Sequence, residues 1–340
     1  MSMGIVLAEQ GYVPDAIVRL AIRRLLKKRL LQDRARRTPE GKAELIKEMC
    51  QGPVAINTGD ANQQHYEVPT GFFQLMLGSR MKYSCASFDD ERAVLNEAEE
   101  NMLALCCSRA ELEDGQSILE LGCGWGSLSL YLAEHYPSSQ ISAVSNSATQ
   151  RAYIETEASK RNLKNLRVIT ADMNDFSTNE RFDRVMSIEM FEHMRNYRML
   201  FQQISEWLKQ DGKLFFHIFC HRDMPYFFEA DSKDDWMAKH FFTGGVMPSF
   251  DLPSYFNEHL SQEKAWEVNG LHYARTCAEW LKNLDQTKPE ALKVIARSGN
   301  PASEDIQFNR WRMFVMACQE LFAYAEGKEW HVAHYLFAKQ

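Results

Sequence analysis

The chain lacks long apolar runs and paired-cysteine motifs. None of its 340 residues belongs to a segment near the ~20 apolar residues that a membrane-spanning helix needs. Its eight cysteines form no C-x-x-C pair and no zinc-finger spacing, so reduced thiols are expected. The start, MSMGIVLAEQ, lacks the basic-then-apolar pattern of a signal peptide. These absences predict a cytoplasmic protein without stable membrane insertion and without a bound metal.

An excess of positive charge is also missing. The 39 basic and 46 acidic residues give a net charge of −7, which argues against nucleic acid as the main partner. A hydrophobic content of 45% and an aromatic content of 11% suffice for a substantial core. The length fits one large domain, or a core with an added region.

Residues 1–60 are predicted to form a helical N-terminal region. Residues 15–37, DAIVRLAIRRLLKKRLLQDRARR, place apolar side chains at helical spacing with basic ones between them. The basic residues are Arg23, Arg24, Lys27, Lys28 and Arg29. They form either the solvated face of a docked helix or a contact surface for anionic lipid or phosphate. Homodimerisation through this region is a further option.

From residue 115 onward, short apolar runs alternate with helical segments. The runs are SILEL (117–121), ISAVS (141–145), LRVIT (166–170), DRVMSI (183–188) and KLFFHIF (213–219). Such alternation predicts an α/β fold with a doubly wound, mostly parallel sheet. The closing HVAHYLFAKQ reads as a final strand.

The rest of the chain is divided around this core. We expect residues 61–114 to be a helical cover of the cofactor site and 115–220 to be the cofactor-binding core. Residues 221–262, aromatic and rich in turn residues, are expected to be a lid inserted over the binding edge of the sheet. Residues 263–340 are expected to complete the sheet and to line the pocket with helices.

A glycine loop follows the first predicted strand. The stretch ELGCGWGS places Gly122, Gly124 and Gly126 between a strand and a helix, where a tight turn lets a ligand approach the main chain. A nicotinamide cofactor would require G-x-G-x-x-G and an acid ending the second strand. The chain has G-x-G-x-G, and AVSNSATQ carries no carboxylate. The pattern favours S-adenosylmethionine, with Glu120 near its charged methionine end.

The stretch SIEMFEHMRNY (187–197) concentrates ionisable residues after the fourth predicted strand. On a helix, Glu189, Glu192 and His193 would share one face, at positions i, i+3 and i+4. A carboxylate-bridged metal centre would need a second Glu-x-x-His, which the chain does not contain. Capping of a helix by Ser187 would explain the glutamates but not the histidine. A site that handles a proton explains all three.

Several motifs together resemble a known family. Residues 61–340 are similar to the plant amine N-methyltransferases of the coclaurine, pavine and tetrahydroprotoberberine group, including a phenylalkylamine branch, which are related to the cyclopropane-fatty-acid synthases. The motifs are QQHYEVPTGFFQLMLGSRMKYSCASF, LELGCGWGS, AVSNSATQ, SIEMFEHMRNY, FFHIFCHR, DWMAKHFFTGGVMPS and EWHVAHYLF. The resemblance implies the class I S-adenosylmethionine-dependent methyltransferase fold, Rossmann-like, with seven strands of which the final one is antiparallel.

The resemblance also implies site residues. The implied cofactor contacts are Tyr83, Ser84, Glu120, Gly122, Gly124, Asn146, Gln150, Asp172, Met173 and Ile188. The implied walls of an apolar pocket for a small aromatic amine are Phe241, Phe242, Phe322, Tyr324, Trp330 and His331.

Methylation of an amine assigns a task to the acid–histidine cluster. An alkylamine with a pKa near that of lysine, ~10.4, costs roughly 4 kcal/mol to deprotonate at neutral pH. The hypothesis is that Glu189 and Glu192 bind and orient the amine while His193 is the general base.

The alternative function comes from the related lipid enzymes. They methylenate an unsaturated lipid and use a bound bicarbonate as base, held by groups that resemble Cys85, Glu192 and His217. Those residues are present here, so both functions stay open, as does the choice between benzylisoquinoline and phenylalkylamine substrates.

Overall fold

The computed structural model describes residues 3–34, 38–56, 69–90, 92–228, 236–241 and 244–340. The α-helices of these parts are numbered in chain order. They are α1 Met3–Glu9, α2 Asp15–Arg34, α3 Pro39–Met49, α4 Thr70–Met76, α5 Leu95–Arg109, α6 Ser127–His135, α7 Ala148–Lys160, α8 Tyr197–Trp207, α9 Trp236–His240, α10 Gly270–Gln286, α11 Lys288–Ile295 and α12 Glu304–Ala323.

The strands form one large sheet and one hairpin-like pair. They are β1 Ser117–Leu121, β2 Gln140–Ser145, β3 Leu166–Thr170, β4 Phe182–Ile188, β5 Leu208–His221, β6 Tyr226–Phe227, β7 Val246–Met247, β8 Leu260–Val268 and β9 Trp330–Lys339. The seven-stranded sheet has the order β3-β2-β1-β4-β5-β9-β8. Strand β9 runs antiparallel to both neighbours, whereas β1 to β5 pair in parallel. The predicted mostly parallel sheet with an antiparallel final strand is confirmed.

Burial of these strands explains why their apolar runs predict them from the sequence. Most residues of β1, β2 and β5 are inaccessible to solvent, as expected for a sheet covered on both faces. Two large apolar clusters lie on opposite faces, one containing Phe215 and Phe219, the other Phe216 and Cys220. The chain order reverses between β1 and β4, which opens a crevice at their carboxyl ends.

The basic helix α2 is docked on α12. Glu320, with a side chain only 8% exposed, accepts hydrogen bonds from Arg19 at 2.8 Å and from Arg23 at 2.5 Å. Arg312 pairs with Asp15 at 2.8 Å. These contacts favour the docked amphipathic helix. In the described parts of the chain, no helix has the length and apolar character needed to cross a bilayer.

The predicted lid contains β6, α9 and β7. Helix α9 is tied to α1, because Trp236 Nε1 donates to the buried carboxylate of Glu9 at 2.7 Å. Phe241, directly after α9, stacks on Phe314 of α12 with ring centroids 4.1 Å apart. Residues 229–235 and Phe242 lie outside the described residues.

Candidate active site

A cleft opens at the carboxyl ends of the first four strands, where the topology predicts a ligand site. It holds about 710 Å³ of space not filled by protein atoms, including open solvent. Its lining residues come from the loops after β1, β2, β3 and β4 and from the segment after α3. They are Ile56, Gly122, Gly124, Val144, Ser145, Asn146, Gln150, Ala171, Met173, Glu189, Met190, His193 and Met194.

The glycine loop shapes the floor of the cleft. Gly122 and Gly124 have φ values of +74° and +51°, a left-handed backbone that favours glycine. A Cβ on Gly122 would come within 2.7 Å of the Met190 side chain, whereas one on Gly124 would project into open space. Gly124 therefore leaves a cradle in which a ligand can reach the main chain.

An amide donor faces the same cleft. Gln150, 1% exposed, accepts a 2.6 Å hydrogen bond from Ser145 through Oε1. Its Nε2 is buried and has no hydrogen-bond partner among the described residues. A buried orphan donor implies a ligand acceptor, and the hydroxyls of a ribose would supply one. The glycine cradle and this amide fit S-adenosylmethionine.

Other predicted cofactor residues do not line the described cleft. Glu120 is buried, and its carboxylate accepts a hydrogen bond from Ser129. Tyr83 packs between Phe73 and Trp280 at centroid distances of 5.3 and 5.6 Å. Three others remain. The Ser84 hydroxyl accepts a hydrogen bond from Lys82, and the Asp172 carboxylate accepts one from the backbone amide of Asn174 at 2.9 Å. Ile188 is the last residue of β4. Their cofactor contacts stay predictions.

The acid–histidine cluster is not on a regular α-helix. Glu189 follows β4 with a φ of +47°, and only a single 3₁₀ turn, Phe191–His193, follows it. The helical-face prediction was therefore wrong, because the chain has to turn sharply off the sheet. Ser187 does not cap a helix either, since it lies in β4 and its hydroxyl donates to the Leu121 carbonyl at 3.0 Å.

The Glu189 carboxylate lies inside a cage of donors. Oε1 accepts from the Cys85 amide at 3.1 Å and contacts His217 Nε2 at 3.0 Å, while Oε2 accepts from the Tyr273 hydroxyl at 2.5 Å. Its side chain is 6% exposed. Burial raises the pKa of Glu189 to about 7, although nearby Lys82 and the hydrogen bonds from Tyr273 and Cys85 act to lower it.

Glu192 and His193 complete the cluster. Glu192 is 3% exposed, and its Oε2 finds no hydrogen-bond partner in the described parts of the chain. Burial, and then the charge of Glu189, raise the pKa of Glu192 well above its ordinary value. His193 is half-buried and lines the cleft together with Glu189. Two carboxyls that are costly to ionise therefore interact with each other, and one of them, Glu189, shares the cleft lining with His193.

One group of potential metal ligands occurs among the residues that the structure describes. Cys106, His217 and His334 place one ligand atom each within 4.8 Å of one another. However, His217 Nδ1 and His334 Nε2 are already 2.9 Å apart and hydrogen-bonded. Lys82 and Arg109 also make this region positive and lower the histidine pKa values, after burial as the main cause. Hydrogen bonding accounts for the group without a metal.

The predicted aromatic pocket is only partly assembled. Phe322 stacks on Tyr273 at 4.3 Å and thus lies one layer behind Glu189. Trp330 is fully buried, and Tyr324 packs edge-on against it at 5.5 Å. His331 contacts Cys220, and side chains alternate along a strand, so it faces away from His217 on the other side of the sheet. His331 is therefore not in the same wall as Phe322. Phe241 contacts α12, as described above.

Sequence reasoning missed Tyr273 and His334. Tyr273 lies in α10 and His334 in β9, both far from the glycine loop in sequence. His334 is part of the motif EWHVAHYLF quoted above, but that motif assigned it no role. Because they reach Glu189 and His217 only through the fold, no local pattern could have identified them.

Comparison of the sequence with known proteins identifies its relatives. Residues 55–332 match the family model described as mycolic acid cyclopropane synthetase. The (S)-coclaurine N-methyltransferase of Thalictrum flavum subsp. glaucum is 38% identical over 341 residues, covering 98% of this chain and 94% of that protein. The enzyme of the same name from Papaver somniferum is 37% identical over 98% of this chain and 96% of its own length.

A solved structure agrees with the sequence comparison. The crystal structure of coclaurine N-methyltransferase bound to N-methylheliamine and SAH superposes with a TM-score of 0.92 at 37% identity, covering 98% of both chains. The chain belongs to the plant amine N-methyltransferases, within the mycolic acid cyclopropane synthetase family. It is an S-adenosylmethionine-dependent enzyme with the class I Rossmann-like fold.

Proposed function

We propose that this enzyme methylates the nitrogen of a small aromatic amine of the benzylisoquinoline or phenylalkylamine type. Glu189 and Glu192 bind and orient the amine, and His193 accepts its proton. When bound, S-adenosylmethionine supplies an electrophilic methyl group on a sulfonium. The observation that carries the proposal is the shared cleft, in which Glu189 and His193 stand in the same lining as the glycine loop.

The charge state of the acid pair supports a cationic substrate. Both carboxyls have a raised pKa because they are buried. An arriving ammonium group would stabilise the ionised forms, and the unpartnered Glu192 Oε2 offers it an acceptor. The amine is thereby attracted as a cation and then has to lose a proton before its lone pair can react.

The contacts of Glu189 weigh against the lipid alternative. The groups that resemble a bicarbonate site are Cys85, Glu192 and His217, and two of them, Cys85 and His217, already contact the Glu189 carboxylate. A second anion in the same cage would be repelled by a charge of the same sign. The protein's own carboxylate thus takes the place that a diffusible base would need.

The first test compares substrate classes. The purified enzyme is incubated with S-adenosylmethionine and either a panel of benzylisoquinolines and phenylalkylamines or vesicles of unsaturated phospholipid. We expect methylated amines by mass spectrometry and unchanged acyl chains. Modification of lipid alone, or of neither class, would overturn the proposal.

The second test addresses the base. His193→Ala should lower kcat by about 10²- to 10⁴-fold, with cofactor affinity in calorimetry little changed. The deficit should narrow as pH rises towards the amine pKa, because solution then supplies more neutral amine. His135→Ala, at an exposed histidine on α6, is the matched control. An unchanged rate in His193→Ala would remove this role.

A further inference from the structure

A row of hydrogen bonds leads from the end of α5 to Glu189. Arg109, the last residue of α5, contacts His334 Nδ1 through its NH1 at 2.9 Å. His334 Nε2 lies 2.9 Å from His217 Nδ1, and His217 Nε2 lies 3.0 Å from Glu189 Oε1. Both histidines are at most 1% exposed. Four separate elements therefore contribute one continuous chain of polar groups.

The arginine sets the direction of every bond in this row. A guanidinium can only donate, so His334 Nδ1 must accept and the ring proton must lie on Nε2. That proton is donated to His217 Nδ1, which places the His217 proton on Nε2, facing Glu189. Both rings are neutral, because burial keeps the pKa of each well below its ordinary value. The positive charges of Lys82 and Arg109 lower both pKa values further, and for His334 the neighbouring His217 has a larger effect than these charges.

The other titratable groups around Glu189 leave this direction intact. Lys82 is the nearby cation, and Glu192 is the nearby second carboxyl. Burial raises the pKa of the phenol of Tyr273 and of the thiols of Cys85, Cys106, Cys277 and Cys318. These phenol and thiol groups stay neutral near neutral pH, so they add no charge to the surroundings of Glu189.

We propose that Arg109, His334 and His217 are positioning residues that fix one tautomer of each histidine and thereby present a permanent N–H donor to Glu189. The inference rests on the proposed function. With His217 Nε2 already protonated, Glu189 cannot pass a proton to the histidine pair. A proton taken from the amine therefore leaves through His193, and Glu189 remains an acceptor aimed at the substrate.

The test uses variants at the far end of the row. Arg109→Met and His334→Phe remove the tautomer constraint without touching the cleft. We expect kcat/KM for the amine to fall about 10- to 100-fold, as for one lost charge-assisted hydrogen bond, with cofactor affinity unchanged. Loss of the N–H donor raises the pKa of Glu189, so the acid limb of the kcat/KM profile should move to higher pH. Arg109→Lys, which still donates, should restore part of both effects.

A matched control separates positioning from structural support. Arg184 donates at 2.8 Å to the carbonyls of Ala110 and Glu111, beside Arg109 but outside the row. Arg184→Met should lower the melting temperature and leave the acid limb in place. If Arg109→Met and His334→Phe behave in the same way, the proposal is wrong.

A second readout does not depend on turnover. Nitrogen NMR of ¹⁵N-histidine-labelled protein should show His217 and His334 as neutral Nε2–H tautomers between pH 6 and 8, and Arg109→Met should redistribute them. A charged ring, or an Nδ1–H tautomer in the unmodified protein, would overturn the inference. Because this measurement needs no substrate, it stays decisive even if no amine is methylated.

Discussion

At the scale of single residues, the site depends on backbone conformations that most side chains avoid. Glu189 adopts a left-handed backbone, which costs a non-glycine residue about 1–2 kcal/mol. The donors from Cys85, His217 and Tyr273 offset this cost by holding its carboxylate. The glycine loop uses the same backbone region, but there the absence of a side chain creates the space.

Gly124→Ala is therefore expected to weaken cofactor binding by about tenfold or more, because a Cβ would enter the cradle and the left-handed backbone would be strained. Isothermal calorimetry with S-adenosylmethionine measures the affinity. Gly115→Ala is the control, since Gly115 has a φ of +93° and open space at its Cβ but does not line the cleft. Equal losses of affinity in both variants would contradict this role.

Glu120 gives a prediction about pH. Burial raises its pKa to about 7 from an ordinary value of 4.5, despite the hydrogen bond from Ser129. The folded state thus holds the proton more tightly than the unfolded state, so this group lowers the free energy of unfolding as pH rises from 4.5 to about 7. Glu120→Gln should gain stability relative to the parent protein between pH 5 and 8, by up to about 3 kcal/mol.

Urea denaturation of cofactor-free protein at the two pH values measures this difference. Ser129→Ala provides the opposite case, since loss of the donor raises the pKa of Glu120 further and should destabilise the protein at pH 8. A stability difference between Glu120→Gln and the parent that does not change with pH would refute the assignment.

At the scale of elements, two hydrogen bonds hold the segment after α3 at the cleft. Asn174, in the loop after β3, accepts from the Ala55 amide and donates to the Ala55 carbonyl, both at 3.0 Å. The arrangement copies a pair of strand hydrogen bonds and holds the neighbouring Ile56 in the cleft lining. A side chain from one loop thereby fixes the main chain of another.

Asn174→Ala should lower cofactor affinity about five- to thirtyfold, because it loses two hydrogen bonds that each contribute about 1 kcal/mol. The rate at saturating cofactor should stay the same, since no reacting group moves. Asn174→Asp, which keeps the acceptor but loses the donor, should lie between. Calorimetry measures the cofactor affinity, and steady-state kinetics measures the rate at saturating cofactor. An unaltered affinity in Asn174→Ala would contradict this role of Asn174.

The sequence predicts those elements whose conformation follows from their own apolar pattern. The observed β1 and β3 coincide with the apolar runs read from the sequence. For β1 the cause is burial on both faces, which demands continuous apolar residues, whereas in the edge strand β3 only Val168 is buried. Strand β5 begins at Leu208 instead of 213, and residues 209–211 of this extension are polar and exposed, so no continuous apolar run marked it. The acid cluster was assigned to a helix on its spacing, whereas the turn off the sheet decides its conformation.

At the scale of the whole molecule, the site combines groups that are distant in sequence. The glycine loop, Gln150 and Glu189 follow β1, β2 and β4, and they meet in one cleft at the carboxyl ends of these strands. The row behind Glu189 joins α5 to the last strand, since Arg109 and His334 are 225 positions apart in the sequence. Such contacts form only when the whole chain folds. Composition and spacing therefore indicated the chemistry of the site but not the residues that hold Glu189 in place.

The position of His193 in the cleft lining also changes what the enzyme requires from its surroundings. A base that diffuses in from solution acts only in proportion to its concentration, and its site is empty whenever that concentration is low. A base attached to the chain, the role proposed for His193, is present at a fixed, high effective concentration and cannot be diluted. On the proposed function, the reaction would therefore be insensitive to the supply of dissolved carbonate.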